Sequence, residues 1–192
     1  MNFCLWLTGL PGSGKSTILK ELLPLMDAAG IHPVVLSLDH IRRIVTPDPT
    51  YTEEERRIVY RSLAVMAHLL VTEGRRHVII DATANRRAYR DLARQLIPDF
   101  AEIHIHCPLE TCQEREATRQ GQPVERDLYI KAAAGTLRGA MPGVTTAYET
   151  PEDPELLVPS DRISPRQAAE RIMAYLGSRW PAHCLRRQQS SR

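Results

Sequence analysis

Residues 9 to 16 read Gly-Leu-Pro-Gly-Ser-Gly-Lys-Ser, the pattern GxxxxGK[ST]. Its glycines let backbone N–H groups turn inward around phosphate oxygens, and a helix starting behind them adds its positive dipole end. In such a loop Lys15 reaches the β- and γ-phosphates of a bound nucleotide and the Ser16 hydroxyl ligates Mg2+. The phosphate-binding set is then Gly9, Gly12, Ser13, Gly14, Lys15, Ser16 and Thr17. An apolar run, Phe3-Cys4-Leu5-Trp6-Leu7, precedes the loop, and a helical pattern through Ile18, Leu19, Leu22 and Leu23 follows it. That strand–loop–helix context separates a phosphate loop from a chance glycine-rich turn.

The loop by itself specifies nucleotide phosphate binding and leaves kinase, ATPase and GTPase open, so further residues must decide. Phosphoryl transfer also needs charge neutralisation on the γ-phosphate, an acceptor held in line, and a group to take the acceptor's proton. Asp39 follows the apolar run Pro33–Leu38 and is the candidate base, because ligands of open α/β sheets bind at the C-terminal ends of the strands. Asp81 follows His77–Ile80 and is placed to hold Mg2+ with Ser16. Each carboxylate could instead cap the helix behind it. Arg42 and Arg43 beside Asp39, and Arg86, Arg87 and Arg90 beyond Asp81, could clamp an anionic acceptor; Arg42 and the Arg86/Arg87 pair are the expected substrate contacts. Arg115 and Arg119 open a polar stretch from which arginines close over phosphate, with Arg115 expected to bind ATP; a solvated charged face is the competing role for both. His104 and His106 alternate with isoleucines on one strand, a pattern of packing or surface histidines rather than of metal ligation.

The elements that must position these groups alternate. Strands are expected at 3–8, 33–38, 77–80, 102–107 and 156–158. Pro24 should kink or end the first helix. Thr52 with Glu55 predicts a capping box for a long helix reaching Gly74, further helices follow from Asn85, after Pro108, over 127–137 and over 164–176, and the strand–helix order implies a parallel five-stranded sheet covered on both faces. This is the α/β P-loop NTPase fold.

At 192 residues the chain suits one domain, expected over 1–177 with a lid at about 115–145 and a flexible tail over 178–192. A net charge of +2 makes extended nucleic-acid binding unlikely on composition and favours small ligands. Four cysteines without CxxC spacing, no apolar run of bilayer length and a strand starting almost at the N-terminus, which leaves no room for a targeting segment, point to a soluble cytoplasmic protein with reduced thiols.

Three stretches together resemble the adenylyl-sulfate (APS) kinase family: Gly9–Thr17, Leu38-Asp39-His40-Ile41-Arg42 and His106-Cys107-Pro108-Leu109-Glu110-Thr111-Cys112. Leu128–Gly135, Gly143-Val144 with Ala147-Tyr148-Glu149, and Pro151–Leu156 are similar to the family's LYKKARAG, TGIDDPYE and PENPEL segments in the same order. The resemblance spans most of residues 3–176 and implies transfer of the ATP γ-phosphate to the 3′-hydroxyl of APS in sulfate assimilation, with Mg2+ and often a homodimer. It also implies Asp39 as base and Arg42 as substrate contact. The sequence departs from the family pattern at Ser37, Leu38 and His40, and at Ala140, where the family has a purine-packing Phe. Asp81-Ala82-Thr83 with Asn85, Arg86 and Arg87 is similar to a segment of broader P-loop kinases acting on nucleotides, sugars, small alcohols or polynucleotide 5′-ends, which is the alternative acceptor class. A nucleotide-dependent switch is a third reading.

Overall fold

The computed structural model describes residues 2–118, 128–136, 139 and 141–181. Five strands, β1 (Cys4–Thr8), β2 (Val34–Ser37), β3 (Val78–Asp81), β4 (Phe100–His106) and β5 (Leu156–Pro159), form one parallel sheet in the order β2-β3-β1-β4-β5. Parallel strands need crossovers, and helices supply them: α1 (Lys15–Ala28), α2 (Leu38–Val45), α3 (Glu53–Thr72), α4 (Arg87–Leu96), α5 (Leu109–Ala117), α6 (Leu128–Ala133) and α7 (Pro165–Arg179).

Strand β1 sits in the middle of the sheet and is wholly buried, so both of its faces carry apolar residues. Leu5 and Leu7 face α1 and α7, packing with Ile18, Leu22, Ile172 and Leu176. Cys4 and Trp6 face α3 and α4, packing with Tyr60, Leu63, Tyr89 and Ala93. The alternation of a strand thereby divides one run of residues between two cores.

Local signals held in most places. Thr52 caps α3 by accepting a hydrogen bond from the Glu55 N–H at 3.3 Å, but the expected reciprocal bond is replaced: the Glu55 carboxylate accepts from the Thr50 N–H at 2.5 Å and Thr50 hydroxyl at 2.6 Å instead. Glu55 therefore stiffens the loop before the helix. Ser164 and Gln167 form a full capping box on α7, with Pro165 in its first turn. Helix α1 does not end at Pro24; it continues to Ala28, with Leu22 and Met26 fully buried on either side of the proline. Tertiary burial there outweighs one missing backbone bond. Strand β4 starts at Phe100, earlier than Glu102, because Phe100 and Ala101 pair with Cys4 and Leu5.

The C-terminal boundary also moves. Helix α7 runs past Gly177 to Arg179, and Trp180 is buried, stacked on Phe3 at a ring separation of 4.7 Å, with its Nε1–H donating to Asp99 Oδ1 at 3.1 Å. The tail expected from 178 thus begins with residues that close the core, while 182–192, like Arg119, Val124, Ala140 and most of the expected lid, lie outside the described residues. Truncating Trp180 to Ala should cost about 3 kcal/mol, read as a lowered urea midpoint with an unchanged slope.

Candidate active site

Strand β1 ends at Thr8, and the chain must turn sharply between β4 and α5 before α1 begins. Gly9 has φ +153° and Gly12 φ +79°; a Cβ would come within 2.4 Å of the Ile105 carbonyl oxygen at Gly9 and of the Cys112 carbonyl oxygen at Gly12. Those approaches exclude any side chain, which is why the motif needs glycine at both places. Gly14, in the left-handed region, caps α1 and aims its first N–H groups into the loop.

Lys15 folds over this loop, its Nζ donating to the carbonyl oxygens of Gly9 and Leu10, each at 2.9 Å. Burial lowers the pKa of its ammonium group, and the carboxylates of Asp81 and Asp39 oppose that shift. The Ser16 hydroxyl donates to Asp81 Oδ2 at 2.8 Å. Neither carboxylate is a helix cap: α2 begins from Ser37, with Asp39 inside its first turn, and Asp81 closes β3 well before α4 begins at Arg87.

One cleft of about 1620 Å³ runs along the C-terminal edge of the sheet. Pockets for one small ligand measure roughly 300–1,000 Å³, so the cleft has room for two. Gly14 to Thr17, Arg115 and Ser160 line it around the phosphate loop, and Asp39, Arg42, Arg43, Tyr51, Arg56 and Asp81 line it as well. Arg115 reaches the phosphate loop, its Nη2 donating to the Ser160 carbonyl oxygen at 2.9 Å and its Nη1 lying near Gly14. Ser160 in turn lies 2.7 Å from the Ser13 carbonyl oxygen, tying the end of β5 to the loop.

Near Asp39, the Arg42 guanidinium lies 5.2 Å over the Tyr51 ring and 3.4 Å from Glu55. Desolvation would raise the Glu55 pKa; the Thr50 and Tyr51 hydrogen bonds, with Arg42 beside it, bring it below the usual carboxylate value. Arg56 is buried and donates from Nε to the Tyr51 carbonyl oxygen at 3.3 Å. Arg56 and Tyr51 were not among the residues expected at the site. A signal existed: Arg56, Val59, Tyr60 and Leu63 share one helical face, so Arg56 is a charge on an apolar stripe.

Arg86 and Arg87 do not line the cleft. Ala84 turns the chain with a left-handed φ of +46°, and the residues after it leave the sheet edge. Arg86 pairs with Glu53 at 2.8 Å, and Arg87 pairs with Glu152 at 2.9 Å while its backbone N–H donates to Glu149 at 2.7 Å. Arg90 is buried, 2.5 Å from Glu102, and donates to the Ala84 and Glu149 carbonyl oxygens. Arg87 and Arg90 thus fasten the 149–152 segment to the sheet, while Arg86 is tied to Glu53 at the start of α3. His104 is buried beside Tyr148, and desolvation, with His106 and Arg90 nearby, lowers its pKa to about 4.

The family model described as Adenylylsulphate kinase matches residues 1–159. A probable adenylyl-sulfate kinase of Halalkalibacterium halodurans is 35% identical over 176 residues, covering 89% of this chain and 81% of that protein. The adenylyl-sulfate kinase of a Picosynechococcus strain is 33% identical, covering 89% of this chain and 91% of that one. Among solved structures, the Mycobacterium tuberculosis APS kinase CysC, in complex with AMPPNP and APS, superposes with a TM-score of 0.79 at 29% identity, covering 91% of this chain and 97% of that one. With a phosphate loop, a paired Ser16 and Asp81 and an arginine-lined second half of the same cleft, the chain belongs to the adenylylsulphate kinase family.

Proposed function

We propose that the protein transfers the γ-phosphate of ATP to the 3′-hydroxyl of adenylyl sulfate, giving 3′-phosphoadenylyl sulfate and ADP. The observation that carries this reading is the single cleft in which the Lys15–Ser16–Asp81 group and the Asp39–Arg42–Arg56 group face one sheet edge. The relatives' names and the APS-bound neighbour support the choice of acceptor.

The exposed hydroxyl–carboxylate pair of Ser16 and Asp81 offers hard oxygen ligands only, which suits Mg2+, an ion that keeps several waters and takes few protein ligands beside substrate phosphates. Bound there, Mg2+ would neutralise the β- and γ-phosphate oxygens. Lys15 leaves the Gly9 and Leu10 carbonyls to hold the same phosphates, and Arg115 covers them from the other side. Arg42 and Arg56 hold the anionic acceptor beside Tyr51. Asp39 accepts the proton as the 3′-oxygen bonds to phosphorus and the bond to the ADP oxygen breaks.

No helix among the described residues is long and apolar enough to cross a membrane. Within the same proposal the enzyme acts in the cytoplasm as a homodimer on small molecules rather than nucleic acid; the free thiols of Cys4, Cys107 and Cys112 are in keeping with a reducing compartment.

Incubation with ATP, Mg2+ and adenylyl sulfate should yield 3′-phosphoadenylyl sulfate, detected by chromatography, and absence of that product at saturating substrates would reject the acceptor. Asp39→Ala should lower kcat by roughly 10²–10⁴ while leaving ATP affinity nearly unchanged, whereas Lys15→Ala should weaken both. Arg42→Ala should raise the acceptor KM by roughly tenfold or more, and Arg86→Ala, outside the cleft, should change it by less than about twofold.

A further inference from the structure

The turn after β3 is held from an unusual number of directions. Ala84 occupies the left-handed region at φ +46° although it is not glycine, and it is fully buried. Such a conformation persists only where the surroundings over-determine it. Here side chains from three elements do so: Trp6 Nε1–H donates to the Ala82 carbonyl oxygen at 3.0 Å, the Ala84 N–H donates to the Tyr60 hydroxyl at 3.0 Å, and Arg90 donates to the Ala84 carbonyl oxygen. The fourth tie comes from Thr8, the last residue before the phosphate loop, whose hydroxyl donates to the Thr83 carbonyl oxygen at 2.6 Å.

Thr8 is fully buried, and its oxygen lies 3.1 Å from the Tyr148 hydroxyl. A carbonyl oxygen can only accept, so the Thr8 proton is committed to Thr83 and Tyr148 must be the donor to Thr8. Desolvation pushes the Tyr148 pKa up to about 12, so this proton stays in place at neutral pH. The ring itself is fixed between the Arg90 guanidinium, 5.8 Å from its centroid, and the His104 ring, 6.3 Å away.

We infer that Tyr148 and Thr8 are positioning residues for the Mg2+ end of the site: the relay Tyr148 Oη–H to Thr8 Oγ1–H to Thr83 C=O sets the turn that holds the Asp81 carboxylate opposite Ser16. The relay joins the exits of β1 and β3, which carry Lys15 and Ser16 on one side and Asp81 on the other. Tyr148 also follows Met141 and Pro142, which line the cleft, so the same bonds tie that segment to the sheet edge. The inference rests on the donor-side reading of Ser16 and Asp81 and does not depend on which acceptor is used.

The test is nucleotide binding without turnover. AMPPNP affinity is measured by calorimetry in Mg2+ and in EDTA for the wild type, Tyr148→Phe, Thr8→Val and Thr8→Ser, with thermal melts of each. The expected result is that Tyr148→Phe and Thr8→Val each lose roughly three- to tenfold of the Mg2+-dependent gain while affinity in EDTA is unchanged, and that Thr8→Ser restores the gain. An intact gain in folded Tyr148→Phe overturns the relay, and so does an equal loss in Mg2+ and EDTA, which would mark a general distortion of the phosphate loop. Should Thr8→Val not fold, Tyr148→Phe decides alone, since it removes one oxygen and keeps the ring. Because no acceptor is present, failure of the acceptor assignment leaves this measurement unaffected.

Discussion

The parallel pairing of β1 with β3, in which Leu7 lies opposite Asp81, is the constraint on which the site depends. It brings the exit of one strand, leading into the phosphate loop, against the exit of another, ending in a carboxylate. The 2.8 Å bond between Ser16 and Asp81 is its chemical result. A slip of one residue would turn the Asp81 side chain to the opposite face of the sheet and separate the two groups. The register is secured by burial, since β1 is packed on both faces and has no exposed position to accommodate a shift.

Around that pairing the molecule places polar groups where they cost least. Ser16, Asp39 and Asp81 stand at the solvent-filled sheet edge, whereas Glu102 and Arg90 inside the molecule neutralise one another at 2.5 Å. Desolvation raises the Glu102 pKa, and the two arginines nearby oppose it; losing either partner would leave a buried charge uncompensated. The network from Arg94 through Glu155 to the Glu102 N–H extends the same logic to the loop before β5. What looks from the sequence like an arginine-rich acceptor side is in large part the fastening of that loop.

The acceptor half is less regular than the donor half, and for a physical reason. Donor recognition uses backbone N–H groups and a helix terminus, whose placement follows from glycine spacing along a few consecutive residues. The groups at the other end of the cleft come from α2, the loop before α3, and α3 itself, so their placement depends on how Glu55 folds the 50–55 segment back beneath Arg42. Such a loop carries no periodic pattern, and its one polar anchor reads in the sequence as an ordinary capping residue.

Much of the architecture was legible in order: alternating strands and helices, the phosphate loop, and the carboxylates of Asp39 and Asp81 at strand ends, each of which the fold delivers to one cleft. These are local consequences of period, glycine content and the rule that ligands lie at the C-terminal edge of a parallel sheet. The fate of Arg86 and Arg87 was not legible, because the left-handed turn at Ala84 is held by Trp6 and Tyr60 from distant parts of the chain, with Arg90 adding a bond from the helix that follows. Nor was the burial of Trp180, which depends on the approach of Phe3 across the full length of the fold. The sequence alone thus determined the chemistry of the donor end, where neighbours in the chain are neighbours in the site. Tertiary structure decided the acceptor end, where the groups that meet come from separate elements and each side chain's direction is set by what it packs against.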